Sequence, residues 1–221
     1  MEPLFQNEIN KLKEDSLTMM DMSKGAVRKA LQAIRERNRE LALDVMDGDS
    51  AIDSFECSLD VEVLRLLALQ QPVARDLRFI VGCLRIASNV ERIGDEAVNI
   101  ADRCVMLLES QQLTLPQSFD ILADTSLKLL DAAGLAFKNG DADIARHILE
   151  STDDVTSMHY RLSKDLTEYM VKESRTVERA LQMSFVAHSI HRICDRASNI
   201  AETVIFIVEG VNVKHHCAVA S

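Results

Sequence analysis

Apolar residues recur every three to four positions along most of the chain, the period of helices buried on one face. The period runs from Leu4 to about Glu36 and again from about Asn38 to Gln70. "QQPV" interrupts it. Pro72 is placed to be the first residue of a third helix, where a missing N–H costs nothing, and that helix is predicted to reach about Glu109. "SQQLTLPQS", with Pro116, reads as a linker. Three more helical runs follow, about Phe119 to Lys138, Asp141 to Val171 and Ser174 to Val208, parted by "KNGD" and "KESR".

The two halves match. "ERIGDEAVNIAD", Glu91 to Asp102, returns one hundred positions later as "HRICDRASNIAE", His191 to Glu202. In the middle helices a shift of 103 pairs Ile52 with Val155, Phe55 with Met158, Leu59 with Leu162 and Val63 with Leu166. The predicted fold is therefore all-α, two tandem three-helix bundles related by internal duplication, residues 1–112 and 113–221. Short turns make neighbouring helices antiparallel.

At about 100° per residue, Phe79, Cys83, Ile86, Val90, Ile93, Ala97, Ala101, Cys104 and Leu108 form one apolar face of the third helix, the expected core stripe. Glu91, Asp95, Asn99 and Asp102 fall in a separate arc about 80° wide. Arg78, Arg85, Arg92 and Arg103 lie beside them. On the second helix Asp49, Asp53, Glu56 and Asp60 follow i, i+4, i+7, i+11. If the two helices fold back near Gln71, Asp49 comes level with Ile93 and Asp53 with Asn89. Facing acids repel one another. Either water and the arginines screen them, or a cation sits between them. Oxygen donors suit Mg, Mn, Ca or ferric iron, and a nearby histidine shifts the preference toward Zn, Fe or Mn.

Composition narrows the function classes. A net charge of −10 over 221 residues argues against nucleic acid as the main ligand. No apolar run approaches the roughly 18 residues of a membrane span, and "MEPLFQNEINKLKED" is not a signal peptide, so a cytoplasmic location is expected. Cys57, Cys83, Cys104, Cys194 and Cys217 form no C-x-x-C pair, and most have apolar neighbours, as buried thiols do. Gly25, Gly82 and Gly94 read as close-packing points, and Met19, Met20 and Met22 as core or interface filler.

With "ERIGDEAVNIAD" and its repeat "HRICDRASNIAE", the "QQPVARDLR" helix opening and the "FIVEG" tail, the chain resembles the PhoU family over nearly its whole length. The resemblance implies an all-helical regulator without catalysis, some of whose relatives bind multinuclear iron or zinc clusters at these motifs. It implies a negative regulator of phosphate uptake and of the phosphate-starvation response. Such an adaptor links a phosphate ABC transporter to a sensor histidine kinase, peripherally, at the inner face of the membrane. A homodimer is compatible with it. Carried over, Glu91 and Asp95 match the signature, Asp49 and Asp53 supply the companion pair, and iron, zinc or manganese is the expected ion. The second repeat departs from the pattern. His191 stands where an acid is usual, with Asp195, Asn199 and Glu202 after it and His188 one turn before. Thr152 and Thr156 replace the companion acids. A site there would be smaller, less acidic and richer in nitrogen.

Two other readings compete. One is a metal-free helical interaction module. The other is a metal-carboxylate bundle enzyme, which wants Glu-x-x-His pairs; this chain has none, nor a glycine-rich phosphate loop. His215, His216 and Cys217 form a tail with too few ligands for a defined site.

Overall fold

The computed structural model of the chain describes residues 3–111 and 113–213. All its long elements are helices: α1 (Pro3–Glu36), α2 (Arg39–Gln70), α3 (Ala74–Leu108), α4 (Gln117–Asn139), α5 (Ala142–Glu150), α6 (Thr152–Lys172) and α7 (Val177–Glu209). Local chemistry sets their ends. The Asn38 side chain accepts the Leu41 N–H at 3.1 Å and starts α2. Gly140, at φ 63°, closes α4, and the Asp141 N–H reaches back to Ala136 O at 2.9 Å. Asp141 then caps α5 by accepting from Asp143 N and Ile144 N.

The sequence expectation needs correction at three boundaries. Pro72 is not the first residue of α3: Gln71 ends α2 in the left-handed region, Val73 is extended and Ala74 holds φ 46°, so the helix starts two residues later. The run predicted from Asp141 to Val171 is broken at Ser151. There Ser151 Oγ donates to Ile148 O at 2.7 Å and Thr152 Oγ1 to Leu149 O at 2.8 Å, hydroxyl bonds that compete with the helix ladder. A 3₁₀ turn, Ser174–Thr176, precedes α7, held by Thr176 Oγ1 donating to Tyr169 O at 2.8 Å.

The long helices α3 and α7 pack against each other in the middle. α1 and α2 cover α3, and α4, α5 and α6 cover α7. Burial on more than one side widens the core stripe of α3. Ile80, Ala87, Ile100 and Leu107 are buried along with the predicted residues, whereas Phe79 and Leu108 sit half-buried at its edge. Two of the three glycines mark close approaches. A Cβ at Gly82 would overlap the Ile207 side chain, and one at Gly94 would lie 3.2 Å from Ile52 Cδ1. Gly25 has open space around it. Cys83, Cys104 and Cys194 are buried, Cys57 is exposed, and Cys217 lies outside the described residues.

Candidate functional site

The turn at Gln71–Val73 lays α2 back along α3 and brings the two acidic stripes together. Asp49 arrives at Gly94, where its Oδ1 is 3.6 Å from the position a Cβ would take. That is within one residue of the level expected from the sequence. Asp53 stands among Glu91, Asp95, Asp49 and Glu56, close enough to raise the pKa of all four. Burial is the larger cause in each case. Repulsion adds to it for Asp49 from Asp53 and Asp95, and for Glu91 from Asp95, Glu56 and Asp53. Glu56 was not among the expected ligands, yet it faces Glu91. Its place in the i, i+4, i+7 series was the available signal.

These five carboxylates have no hydrogen bond and no ion pair within 4 Å among the described residues. Of the arginine strip only Arg92 moderates them, and Arg192 of α7 adds to it at Asp95. The others are engaged elsewhere: Arg85 lies 4.5 Å from the Phe206 ring centre, Arg103 5.0 Å from that of Phe185, and Arg78 packs at Gly210. The donor set fits a hard cation in chemistry. In the present side-chain arrangement, however, no three His, Cys, Asp or Glu side chains among the described residues are gathered to hold one ion. Exposed or half-exposed acids on helix surfaces reach alternative rotamers cheaply.

Asn99 and Asp102 are not brought into this cluster. Asn99 Nδ2 donates to Glu96 Oε2 at 3.3 Å, and Asp102 is two turns, about 10 Å, along α3 from Asp95. Glu96, which the sequence reading passed over, is only 4% exposed. Its Oε1 pairs with Arg192 Nη1 at 3.0 Å across the α3–α7 contact. The pair joins the neighbours of Asp95 to those of His191.

In the second repeat His191 Nδ1 lies 3.4 Å from Asp195 Oδ2. His159 of α6, absent from the sequence expectation, packs on them, its ring centre 4.8 Å from that of His191 and 6.4 Å from that of His188. The signal was present, because the shift of 103 that aligns the middle helices puts His159 where Glu56 stands. Burial, then the nearby His191 and His188, lower the His159 pKa below the usual histidine value. Thr156 Oγ1 donates to Thr152 O at 3.1 Å, and Thr152 Oγ1 to Leu149 O, so both hydroxyls serve their own helices. Asn199 and Glu202 line a different cleft of about 440 Å³ with Arg85, Asn89 and Phe206, where Asn199 Nδ2 donates to Asn89 Oδ1 at 3.3 Å. His215 and His216 lie outside the described residues.

Comparison with known proteins agrees with the duplicated architecture. The family profile described as PhoU domain matches residues 17–104 and again 119–204. The Phosphate-specific transport system accessory protein PhoU homolog of Aquifex aeolicus is 35% identical over 208 residues, covering 94% of each chain. The PhoU accessory protein of Escherichia coli is 29% identical over 211 residues, covering 96% of this chain and 88% of its own. The crystal structure of PhoU from Pseudomonas aeruginosa superposes with a TM-score of 0.90 at 31% identity, covering 94% of this chain and 100% of that one. That of the phosphate transport system regulatory protein PhoU from Streptococcus pneumoniae gives 0.88 at 26%, covering 95% and 99%.

Proposed function

The chain belongs to the PhoU family of non-catalytic accessory and regulatory proteins of phosphate transport, and from that premise we propose that it keeps the phosphate-starvation response off while phosphate is ample. It does so as a cytoplasmic adaptor at the inner face of the membrane, docking on a phosphate ABC transporter and on a sensor histidine kinase. No helix among the described residues is long and apolar enough to cross a membrane, and contact with both partners is by docking. The bundle-enzyme reading drops out, since the family is non-catalytic and Glu-x-x-His is missing.

The observation that takes the reading furthest is the unpartnered acidic face of α2 and α3. Asp49, Asp53 and Glu56 on one side and Glu91 and Asp95 on the other would hold a hard cation, iron or manganese before zinc, singly or as a cluster. A bound ion would supply the positive charge that Arg92 and Arg192 provide only in part. The chain's own residues set the level of the donors: Gly94 lets Asp49 approach, and Arg192, tied to Glu96, limits the charge at Asp95. A second reading, a metal-free adaptor, is favoured by the unconverged side chains.

The test is a starvation-response reporter read in phosphate-replete cells. Without the chain the reporter should be on, and the wild-type chain should silence it. Folded Glu91→Ala/Asp95→Ala should not. A silent reporter in cells lacking the chain refutes the regulatory role. Full silencing by the double variant keeps that role and favours the metal-free adaptor.

A further inference from the structure

We propose that the cleft where the two repeats meet at one end of the bundle binds a small free carboxylic acid with an apolar body, a monoanion held by Lys13 and Arg75 over a floor that includes Phe79 and Phe137. The site stands apart from the acidic face of α2 and α3 and from the docking role, and depends on neither.

Four helices build this cleft: the beginnings of α1 and α3 from one repeat and the ends of α4 and α7 from the other. It encloses about 430 Å³, within the range of clefts that take small molecules. Its floor is apolar. Phe79 and Phe137 stack there with ring centres 6.0 Å apart, and Ile9 and Ile207 share the lining. The polar wall comes from α1 and the start of α3. On it Lys13 and Arg75 have no ion pair within 4 Å among the described residues. Gln6 Nε2 donates to Asn10 Oδ1 at 3.2 Å, which leaves the Asn10 amide hydrogens as donors on the same wall. Asp76 is the one carboxylate on this lining among the described residues. Two cations against one carboxylate leave a single positive charge, in a chain of net charge −10. A monoanion matches that balance, and a polyphosphate does not.

Duplication supplies the comparison. At the opposite end of α3, Ile34, Cys104, Leu107 and Leu108 stand at the offsets of Phe137, Val204, Ile207 and Val208 and line the matching cleft. Arg37 and Gly140 correspond too, each following the first helix of its repeat with positive φ, 52° and 63°. The matching cleft is smaller, about 240 Å³, and its cations are already engaged. Arg35 pairs with Asp120 and Asp124. Arg37 Nη2 donates to Leu107 O at 3.1 Å and to Ser110 O at 2.8 Å. Leu113 of the linker, also on that lining, falls where Asn10 stands at an offset of 103. Gly140, by contrast, projects no side chain over its cleft. Arg78, at Gly210 two residues past the lining Val208, keeps a buried Nε without a hydrogen-bond partner. One end of the duplicated frame is thus closed by its own arginine and leucines, and the other is open and cationic.

The experiment is calorimetric titration of the full chain with octanoate and with octylammonium, the same apolar body carrying the opposite charge. One octanoate should bind per chain, at least about tenfold more tightly than octylammonium, the reverse of what the net charge alone favours. Lys13→Gln/Arg75→Gln should weaken octanoate by about tenfold or more. Lys11→Gln, a cation of α1 off the lining, should leave it unchanged. Gly140→Arg should block the cleft as Arg37 blocks its counterpart, and Arg37 shows that a left-handed backbone at this point accepts arginine. Lys13 and Arg75 are not buried, so their double variant decides the matter should Gly140→Arg fail to fold. Vesicles containing phosphatidylglycerol, the other source of an apolar monoanion, should not bind. Vesicle binding that is lost in Lys13→Gln/Arg75→Gln would put the anion on a lipid and overturn the assignment to a free acid. Octanoate that does not bind, that binds no better than octylammonium, or that binds the Lys13→Gln/Arg75→Gln variant as tightly as the wild type overturns the proposal.

Discussion

Asp53 is the centre of the acidic face, and removing its charge should make the metal-free protein more stable. The side chain raises the pKa of Asp49, Glu56, Glu91 and Asp95, two neighbours on its own helix and two on α3. Asp53→Asn therefore relieves four repulsions. At about 0.2–0.5 kcal/mol for each like-charge contact on helix surfaces, the gain is about 1–2 kcal/mol at neutral pH and low salt. Asn and Asp have similar helix propensity, and the position is far from either end of α2, so propensity and macrodipole contribute little.

The assay is urea unfolding followed by circular dichroism in chelator, with urea chosen because guanidinium would screen the effect. Asp47→Asn, the same charge change elsewhere on α2, is the control. The gain should disappear in 1 M salt, where the Debye length is about 3 Å. In excess manganese or ferric ion its sign should reverse, because the wild type then gains binding energy that the variant lacks. Destabilisation by Asp53→Asn in chelator at neutral pH would refute the reasoning, since the carboxylate would then be making a favourable contact within the fold.

The same charges give a pH dependence. The folded-state pKa values of Asp49, Glu56, Glu91 and Asp95 lie above their ordinary 3.8 and 4.5. Their stabilising contribution is thus fully present below those values and lost as pH rises through the raised ones, and the advantage of Asp53→Asn should grow over that interval in paired melts. Gly82→Ala, which forces a methyl into Ile207, should cost about 1–3 kcal/mol in urea unfolding. Arg192→Met leaves the buried Glu96 without its cation and should cost about 1–3 kcal/mol, most of it recovered in the double variant with Glu96→Gln. Elemental analysis of protein purified without chelator should find iron, manganese or zinc whose first-repeat share is lost in Glu91→Ala/Asp95→Ala, with helicity unchanged.

Much of this was legible in the sequence because it is periodic. The helical period placed six runs, and counting back from the turn put Asp49 within one residue of its partner level on α3. What escaped was local or lay across elements. The break at Ser151 depends on two hydroxyls turning back onto Ile148 and Leu149, and no apolar period reports that. The core of α3 is wider than one stripe because α7 packs beside it, a contact between halves that neither repeat encodes alone. Asn199 and Glu202 lie on the motif helix, but they face a cleft toward α3 instead of the histidines. Glu96 carries no signal of burial in "GDEA", because its cation, Arg192, comes from the other repeat.

Duplication fixes geometry more firmly than chemistry. The level of each motif follows from helix length and turn position, and these agree between the halves. Position 56 meets position 91, and position 159 meets position 191. The side chains there touch little of the core, so they were free to change without disturbing α3 or α7. A glutamate pair could become a histidine pair while Ile93 and Ile193, or Ala97 and Ala197, stayed buried beneath. The one link that resists such drift is Glu96 with Arg192, because a buried carboxylate cannot lose its cation cheaply. It also breaks the symmetry: the residues one hundred positions away, Arg196 and Arg92, are both cations. The two side-chain clusters are therefore joined through a contact that exists in only one sense, next to Asp95 on one side and His191 on the other.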